Sequence, residues 1–396
     1  MDKGSASAPL NPCREGYVPA CLCPKHHSMI VPFLELKATY EELRSELDAA
    51  YQRVMDSGWF IIGKELEAFE KEYAGNVGVR HCIGVANGLE ALQLSLQAAG
   101  IGAGDEVIVP SHSYIASWLA VSQVGATLVP SEPEEGQYSL DPAQVEACIT
   151  PRTRAIMPVH LYGHVGDMDA LQSLARRHKL LLVEDGAQSH GALCRGRQSG
   201  SMSDIAGISF YPSKNLGAFG DAGAVLTSND DFAEKIRHLR NYGSKVRYQN
   251  DYRGMNSRLS ELQAAFLRAK LPLLAEWNQR RQRLAARYHE GLAGVGDLVL
   301  HPVPAWSTPV WHLYVIRSRR RNALQSFLSE RGIGTQIHYP IPPHLSRAYQ
   351  DMGWKKGAFP VAEHYAEELL SLPISPHHTP SQIDCVIDAI RAFHAK

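Results

Sequence analysis

The chain has no long apolar run. Although 44% of its 396 residues are hydrophobic, no stretch approaches the roughly 18–20 apolar residues that a membrane-spanning helix needs. Its beginning lacks the basic-then-apolar layout of a secretory signal. Charge of one sign is missing too: 40 Lys and Arg against 41 Asp and Glu leave a formal net charge of -1. Nothing in that balance calls for nucleic acid or an anionic membrane as a partner. A small soluble substrate and a cytoplasmic location are the expectation. The 7 cysteines show no regular spacing. Cys82, Cys148, Cys194 and Cys385 are scattered and fit reduced thiols better than a disulfide framework. Cys13, Cys21 and Cys23 lie near His26 and His27, but their spacing matches no standard zinc ligand set, so no metal is expected. Met29 followed by Ile-Val-Pro-Phe-Leu-Glu-Leu-Lys looks like a natural start, so residues 1–28 read as a disordered extension.

Two nucleotide-binding signatures are also missing. Gly58-Trp-Phe-Ile-Ile-Gly-Lys-Glu65 matches most of a phosphate-binding loop. However, Glu65 stands where a Ser or Thr would ligate magnesium, and four bulky residues fill the loop. Gly217, Gly220 and Gly223 recur at threes, without the spacing or following helix of a dinucleotide fingerprint.

What is present is a regular alternation of short apolar runs and helical patterns. Helical stretches at Ala38–Asp56 and Lys64–Ala74 lead to a strand at His81–Ala86, a helix at Leu89–Ala99 and a strand at Glu106–Pro110. A helix at Tyr114–Val124 follows, then strands at Thr127–Pro130 and Ala155–His160, a helix at Met168–His178 and a strand at Leu180–Glu184. Strands at Ile205–Phe210 and Gly223–Thr227 and a helix at Asp231–Asn241 complete the series. The pattern predicts an α/β fold, a mixed but mostly parallel sheet sandwiched by helices. Leu259–Leu292 is long and helical, with Glu276, Arg280, Arg281 and Arg283 on its polar side, and reads as a connector. A strand at Trp311–Ile316 and helices at Asn322–Glu330 and Gln382–Ala395 make a smaller C-terminal α+β domain. The expected boundaries are 29–265 for the large domain and 266–396 for the small one.

Chemistry-bearing residues fall where the runs end. Lys214 sits at the break between the run ending near Phe210 and a Gly-rich loop, where a Schiff-base lysine would be held, because an amine must be desolvated or set near cations to be nucleophilic. Asp185 ends the run Leu180-Leu-Leu-Val-Glu-Asp, at the strand edge where open α/β sheets bind ligands. A carboxylate there can keep a heteroaromatic nitrogen protonated, as the electron-sink chemistry of pyridoxal phosphate requires, or it can merely cap a helix. Asn87-Gly88 joins a strand to a helix, so the free N–H groups of Gly88 and Leu89 form a candidate phosphate cradle, with Ser209 as a further donor. The alternative there is a simply well-capped helix. Tyr114, at the mouth of the same edge, is placed to stack on a flat ring or to serve as a rim aromatic.

With these residues in view, the chain resembles the pyridoxal-phosphate-dependent sugar-nucleotide aminotransferases of the DegT/StrS type, which share the aspartate aminotransferase fold (fold type I). The resemblance runs from about Val31 to the C-terminus. It is carried by Val31-Pro-Phe-Leu-Glu-Leu, Ser57-Gly-Trp-Phe-Ile-Ile-Gly, Pro110-Ser-His-Ser-Tyr-Ile-Ala-Ser, Pro158-Val-His-Leu-Tyr-Gly, Glu184-Asp-Gly-Ala-Gln-Ser-His-Gly, Phe210-Tyr-Pro-Ser-Lys-Asn and Gly254-Met-Asn-Ser-Arg-Leu-Ser-Glu-Leu-Gln-Ala-Ala. It implies that Lys214 forms the imine, Asp185 pairs with the pyridine nitrogen and Gln188 bonds the ring hydroxyl oxygen. It further implies that Gly88, Leu89 and Ser209 bind the phosphate, and that Asn256 reaches it from the neighbouring subunit of a homodimer. Leu89 departs from the family, where a threonine commonly follows the glycine, so only its backbone donor survives.

Ala86-Asn-Gly-Leu together with Phe210-Tyr-Pro-Ser-Lys and Ile337-His-Tyr-Pro-Ile-Pro-Pro-His resembles the subgroup that aminates C3 of nucleotide-linked 3-keto-6-deoxyhexoses, with L-glutamate as amino donor. Within it Tyr211, His338 and Tyr339 are implied to lie near the sugar. The alternatives are amination at C4, a sugar dehydratase, in which histidine replaces the lysine, and a non-enzymatic cofactor-binding regulator.

Overall fold

The computed structural model describes residues 29–395, so Cys13, Cys21, Cys23, His26 and His27 lie outside the described residues. Seven strands form the central sheet: β1 (His81–Val85), β2 (Glu106–Pro110), β3 (Thr127–Ser131), β4 (Thr153–Ile156), β5 (Leu181–Asp185), β6 (Ile205–Ser209) and β7 (Gly223–Thr227). Their spatial order is β1-β7-β6-β5-β4-β2-β3. Pairings from β6 across to β3 are parallel, and β7 runs antiparallel to both of its neighbours. The mixed, mostly parallel sheet expected from the alternation is therefore present.

The strands read as unbroken apolar runs because both faces are covered. Val107, Ile108 and Val109 are fully buried, and Ile108 pairs with Val129 on one side and Ile156 on the other. The Gly88–Ala98 helix buries Ala91, Leu92, Leu94, Leu96 and Ala98 against the sheet. Gly207 of β6 makes room for that helix, since a Cβ there would lie 2.7 Å from Leu92 Cδ2. Asn87 accepts the Glu90 N–H at 2.9 Å and fulfils the expected helix cap.

Beyond the sheet, strands Val299–Leu300, Tyr314–Arg317 and Leu369–Leu372 form an antiparallel sheet with Tyr314–Arg317 in the middle. The helices at Leu274–Leu292, Arg321–Ser329 and Pro380–His394 flank it. Their shared core holds Tyr288, Ile316, Leu324, Leu370 and Ile390. Val31 joins the same core and pairs with Ile333, a long-range partnership that the linear boundaries 29–265 and 266–396 do not convey. No helix of the described residues is long and apolar enough to cross a membrane.

Several elements differ from the sequence reading. The first helical stretch divides at Leu43 into Lys37–Glu42 and Arg44–Ser57. The long connector divides into Glu261–Lys270 and Leu274–Leu292 around a short turn holding Pro272, because proline cannot donate to the helical ladder. Arg281 is not on a polar face: it is 3% exposed and donates to the carbonyls of Trp311 at 3.2 Å and Ile374 at 3.0 Å. The strand expected at Ala155–His160 ends at Ile156, although Val159 still bridges to Asp185.

The glycine-flanked run after Ser57 answers the phosphate-loop question directly. Glu261, buried at the start of its helix, accepts from the N–H groups of Gly63 at 2.8 Å, Glu65 at 2.8 Å and Leu66 at 3.1 Å. The anion held at this helix N-terminus is thus a carboxylate of the chain itself.

Candidate active site

The lysine loop is a closed excursion between two paired strands. Ser209 of β6 lies opposite Gly223 of β7, and just beyond them the Phe210 N–H donates to Ala222 O at 2.8 Å. Phe210 is buried edge-on against Phe69 and Tyr73, which anchors the base of the loop. Inside it, the Lys214 N–H turns back to Tyr211 O at 2.8 Å, and Asn215 Nδ2 donates to Asn278 Oδ1 at 2.8 Å and Val310 O at 2.9 Å. Lys270, 2% exposed, donates from Nζ to Gly217 O at 2.7 Å and lies 3.5 Å from the Phe219 ring centroid. The loop is therefore held from beneath by a buried lysine, whose amine burial pushes down to about 7.

Burial pushes Lys214 down to about 8, with the charge of Asp185 acting against that fall. The sign follows directly: the neutral, nucleophilic amine takes over above pH 8 rather than above the ordinary lysine value. Reconstitution of the cofactor-free enzyme with pyridoxal phosphate, followed by its absorbance, is expected to accelerate through an apparent pKa near 8. A rate still climbing steeply at pH 10 would show that the pocket does not tune this amine.

Asp185 occupies the carboxyl end of β5 and is 5% exposed. It accepts from Ser117 Oγ at 2.7 Å and from the Ala187 N–H at 3.1 Å. Burial raises its pKa, while Ser117, Ala187 and Lys214 act against that rise. A carboxylate in this position is stabilised by an opposite charge close by. Behind it the neighbouring Glu184 points into the opposite layer, where it bonds His160 Nε2 at 2.8 Å and accepts the N–H groups of Gly200 at 2.8 Å and Met202 at 3.0 Å. Burial pushes Glu184 up, but His160 and the Gly200 amide outweigh it and hold its carboxyl below the usual range. The two adjacent acids thus have separate duties, and Glu184 pins the strand end that aims Asp185.

Gly88 and Ser209 meet. A Cβ on Gly88 would lie 2.6 Å from Ser209 Cβ, and one on Gly223 would lie 2.5 Å from the Asn87 carbonyl. The approach is possible only without those side chains, and it brings the amino end of the Gly88–Ala98 helix beside the base of the lysine loop. Pyridoxal phosphate needs an anion cradle, an acid for its ring nitrogen and an amine, and these residues fit that set.

The remaining sequence-derived residues fall into two groups. Gln188 Nε2 donates to Tyr339 Oη at 3.2 Å, and the ring of Tyr339 lies 5.1 Å from that of Tyr114. His338 bonds Ser371 Oγ through Nδ1 at 2.8 Å, and burial pushes it down to about 4, so it is neutral near pH 7. Tyr114, Gln188, His338 and Tyr339 therefore converge, and Tyr211 stands 53% exposed beside the lysine turn. Leu89 is partly buried against the central core. Asn256 stands apart: it is exposed and bridges only to Asn241, while the next residue, Ser257, accepts the Ala86 N–H at 3.2 Å.

Sequence reasoning missed Ser117, Glu184, His160, His112 and Tyr162. Each lies inside a motif quoted above, so the signal was present, but the partner of each is far away in sequence.

A model of the DegT/DnrJ/EryC1/StrS aminotransferase family matches residues 41–391. The chain is 57% identical to the dTDP-3-amino-3,4,6-trideoxy-alpha-D-glucose transaminase of Streptomyces venezuelae, over 92% of this chain and 96% of that one. It is 55% identical to the erythromycin biosynthesis sensory transduction protein EryC1 of Saccharopolyspora erythraea, over 92% and 100%. Among solved structures, S. venezuelae DesV in complex with a ketimine intermediate superposes with a TM-score of 0.92 at 55% identity, covering 93% of this chain and all of that one. The chain belongs to the DegT/DnrJ/EryC1/StrS aminotransferase family, whose members depend on pyridoxal phosphate.

Proposed function

We propose that this aminotransferase moves the amino group of L-glutamate to C3 of a dTDP-linked 3-keto-6-deoxyhexose, in the biosynthesis of a deoxyamino sugar. The observation that carries the chemistry is Lys214 set beside the buried Asp185 at one sheet edge. The sugar is drawn from the 57% identity to a dTDP-3-amino-sugar transaminase.

When bound, pyridoxal phosphate supplies an aldehyde carbon for amine capture and a ring that draws off the electron pair released at Cα. Gly88 and Leu89, through their backbone N–H groups, and Ser209, through its hydroxyl, would hold the phosphate. Asp185 would hold the ring nitrogen in its charged form, and Gln188 would meet the ring hydroxyl oxygen. Lys214 would take the α-proton of glutamate with Nζ, because its released amine stays next to the carbon it has just left. The same amine would return a proton at C3 of the sugar in the second half of the reaction. Tyr211, His338 and Tyr339 would bind the sugar, their polar ends meeting hydroxyls and their rings covering its apolar face. Glutamate departs as 2-oxoglutarate before the keto sugar enters, so ping-pong kinetics follow.

The test is a panel of 3-keto and 4-keto nucleotide sugars incubated with enzyme and glutamate, with the new amine located by NMR. An amine at C3 is expected, and one at C4 alone would overturn the regiochemistry. A dehydratase is disfavoured because Lys214 occupies the position where that subgroup carries histidine. The name of the EryC1 relative suggests a regulator instead, but a sensor would have little use for a buried lysine near a buried acid together with the candidate sugar residues Tyr211, His338 and Tyr339.

A cytoplasmic homodimer belongs to the same reading. Trp59, Phe60, Ile61 and Ile62 are 61%, 49%, 42% and 39% exposed, and Trp59, Ile61 and Ile62 share one groove with Tyr242, Val246 and Tyr248. Exposed aromatic and aliphatic side chains grouped in one groove, edged by Lys245, Arg247 and Arg258, suit coverage by a second copy, from which Asn256 would reach the partner's phosphate. Phe60→Glu costs an isolated chain little, since the side chain is half exposed. If the patch is the subunit interface, sedimentation should show monomers and turnover should fall with the dimer. A Phe60→Glu protein that remains a fully active dimer would remove this face from consideration.

A further inference from the structure

Tyr162 lies in Pro158-Val-His-Leu-Tyr-Gly and has no exposed surface. Its backbone is left-handed, with φ 61° and ψ 6°, a conformation that a bulky residue rarely adopts. That turn aims its N–H at Gln188 Oε1, 2.6 Å away. Its hydroxyl donates to the His338 carbonyl and meets His112 Nε2 at 2.8 Å. Because the hydroxyl proton goes to the carbonyl, His112 must present Nε2–H. Gln188, oriented from one side in this way, extends its own Nε2 to Tyr339. One residue therefore grips, through two different atoms, the glutamine after β5 and the 338–339 segment.

We infer that Tyr162 is a positioning residue that fixes the sugar-facing His338–Tyr339 pair against Gln188. The inference rests on the functional reading given above, in which those residues face the sugar and the ring. The Tyr162 ring also packs edge-on against Tyr138, with centroids 5.3 Å apart, and a phenylalanine would serve that purpose equally. What phenylalanine could not do is satisfy the His338 carbonyl and the His112 N–H together, and both are buried or nearly so. Ser371 supplies the second hold on His338, at Nδ1.

Tyr162→Phe keeps the ring, its volume and the backbone N–H to Gln188. The glutamate half-reaction, followed by the absorbance of the bound cofactor, is expected to stay within about twofold of wild type, while KM for the keto sugar rises about tenfold and kcat changes less. Ser371→Ala should move the same parameter in the same direction, and it carries the test if Tyr162→Phe does not fold. Equal losses in both half-reactions, or an unchanged sugar KM in a folded Tyr162→Phe, would overturn the inference. Wild-type enzyme is run alongside. An active wild type with an unaffected variant defeats the role of Tyr162 alone, whereas a wild type inert towards every keto sugar defeats the functional reading and this inference with it.

Discussion

Lys214→Ala is expected to lower turnover by about 10⁴-fold or more, because one side chain is asked both to capture the cofactor and to move the proton. Few other groups nearby could replace it. Burial pushes His190 down to about 3 and His338 down to about 4, so both are neutral near pH 7 and neither is a strong base. His190 Nε2 is also committed to Ser209 O at 2.8 Å. The loss should therefore appear in both half-reactions and should not be recovered by raising the glutamate concentration. The anchors away from the lysine, Asp185 and the Gly88–Ser209 approach, are untouched by the substitution, so the variant should still bind the cofactor without showing the absorbance of a lysine-linked imine. Steady-state kinetics and a spectrum of the purified protein decide the matter, and sustained transamination without Lys214 would refute the assignment.

Asp185→Asn should produce the second largest effect, a fall in turnover on the order of 10²–10³-fold. The amide preserves the shape and can still accept from Ser117, but it carries no charge with which to keep a ring nitrogen protonated. Its NH₂ group would also face the Ala187 N–H, which in the wild type donates to Asp185 Oδ1 at 3.1 Å, so two donors would meet there. The distinguishing readout is the proton-abstraction step, measured with α-deuterated glutamate: a larger isotope effect in Asp185→Asn than in wild type indicates weakened electron withdrawal. An unchanged isotope effect with normal turnover would mean that Asp185 serves only the local hydrogen bonds of its strand end.

Much of this site was legible before any coordinates because its members sit where strands stop. Lys214, Asp185 and Gly88 each follow an apolar run, and a parallel sheet collects such positions along one edge whatever the details of its packing. The helix cap at Asn87 was equally local. Other features were not local. Ser117 could be seen as a serine, but its bond to Asp185 spans 68 positions of sequence. Arg281 has the charge of a surface residue and the burial of a core one, because the carbonyls that receive it come from residues 311, 312 and 374. The Leu369–Leu372 strand follows a helix with no turn residue between them, so no punctuation marked it. Pro272 did mark a break, and the apolar periodicity on both sides of it concealed that break.

The pairing of Ser209 with Gly223 has a thermodynamic consequence. The lysine and its nearest candidate phosphate donor hang from one antiparallel turn of chain whose base is closed by backbone bonds at Ser209–Gly223 and Phe210–Ala222. Their separation is therefore set within that turn of chain, to which Asn215 adds ties to Asn278 and Val310. The candidate sugar residues His338 and Tyr339 have no such local closure, since they come from a distant stretch of chain. Sequence drift in the outer layers would then alter which sugar is accepted long before it altered the ability to transfer an amine, and a single scaffold can change acceptors while its amine chemistry stays fixed.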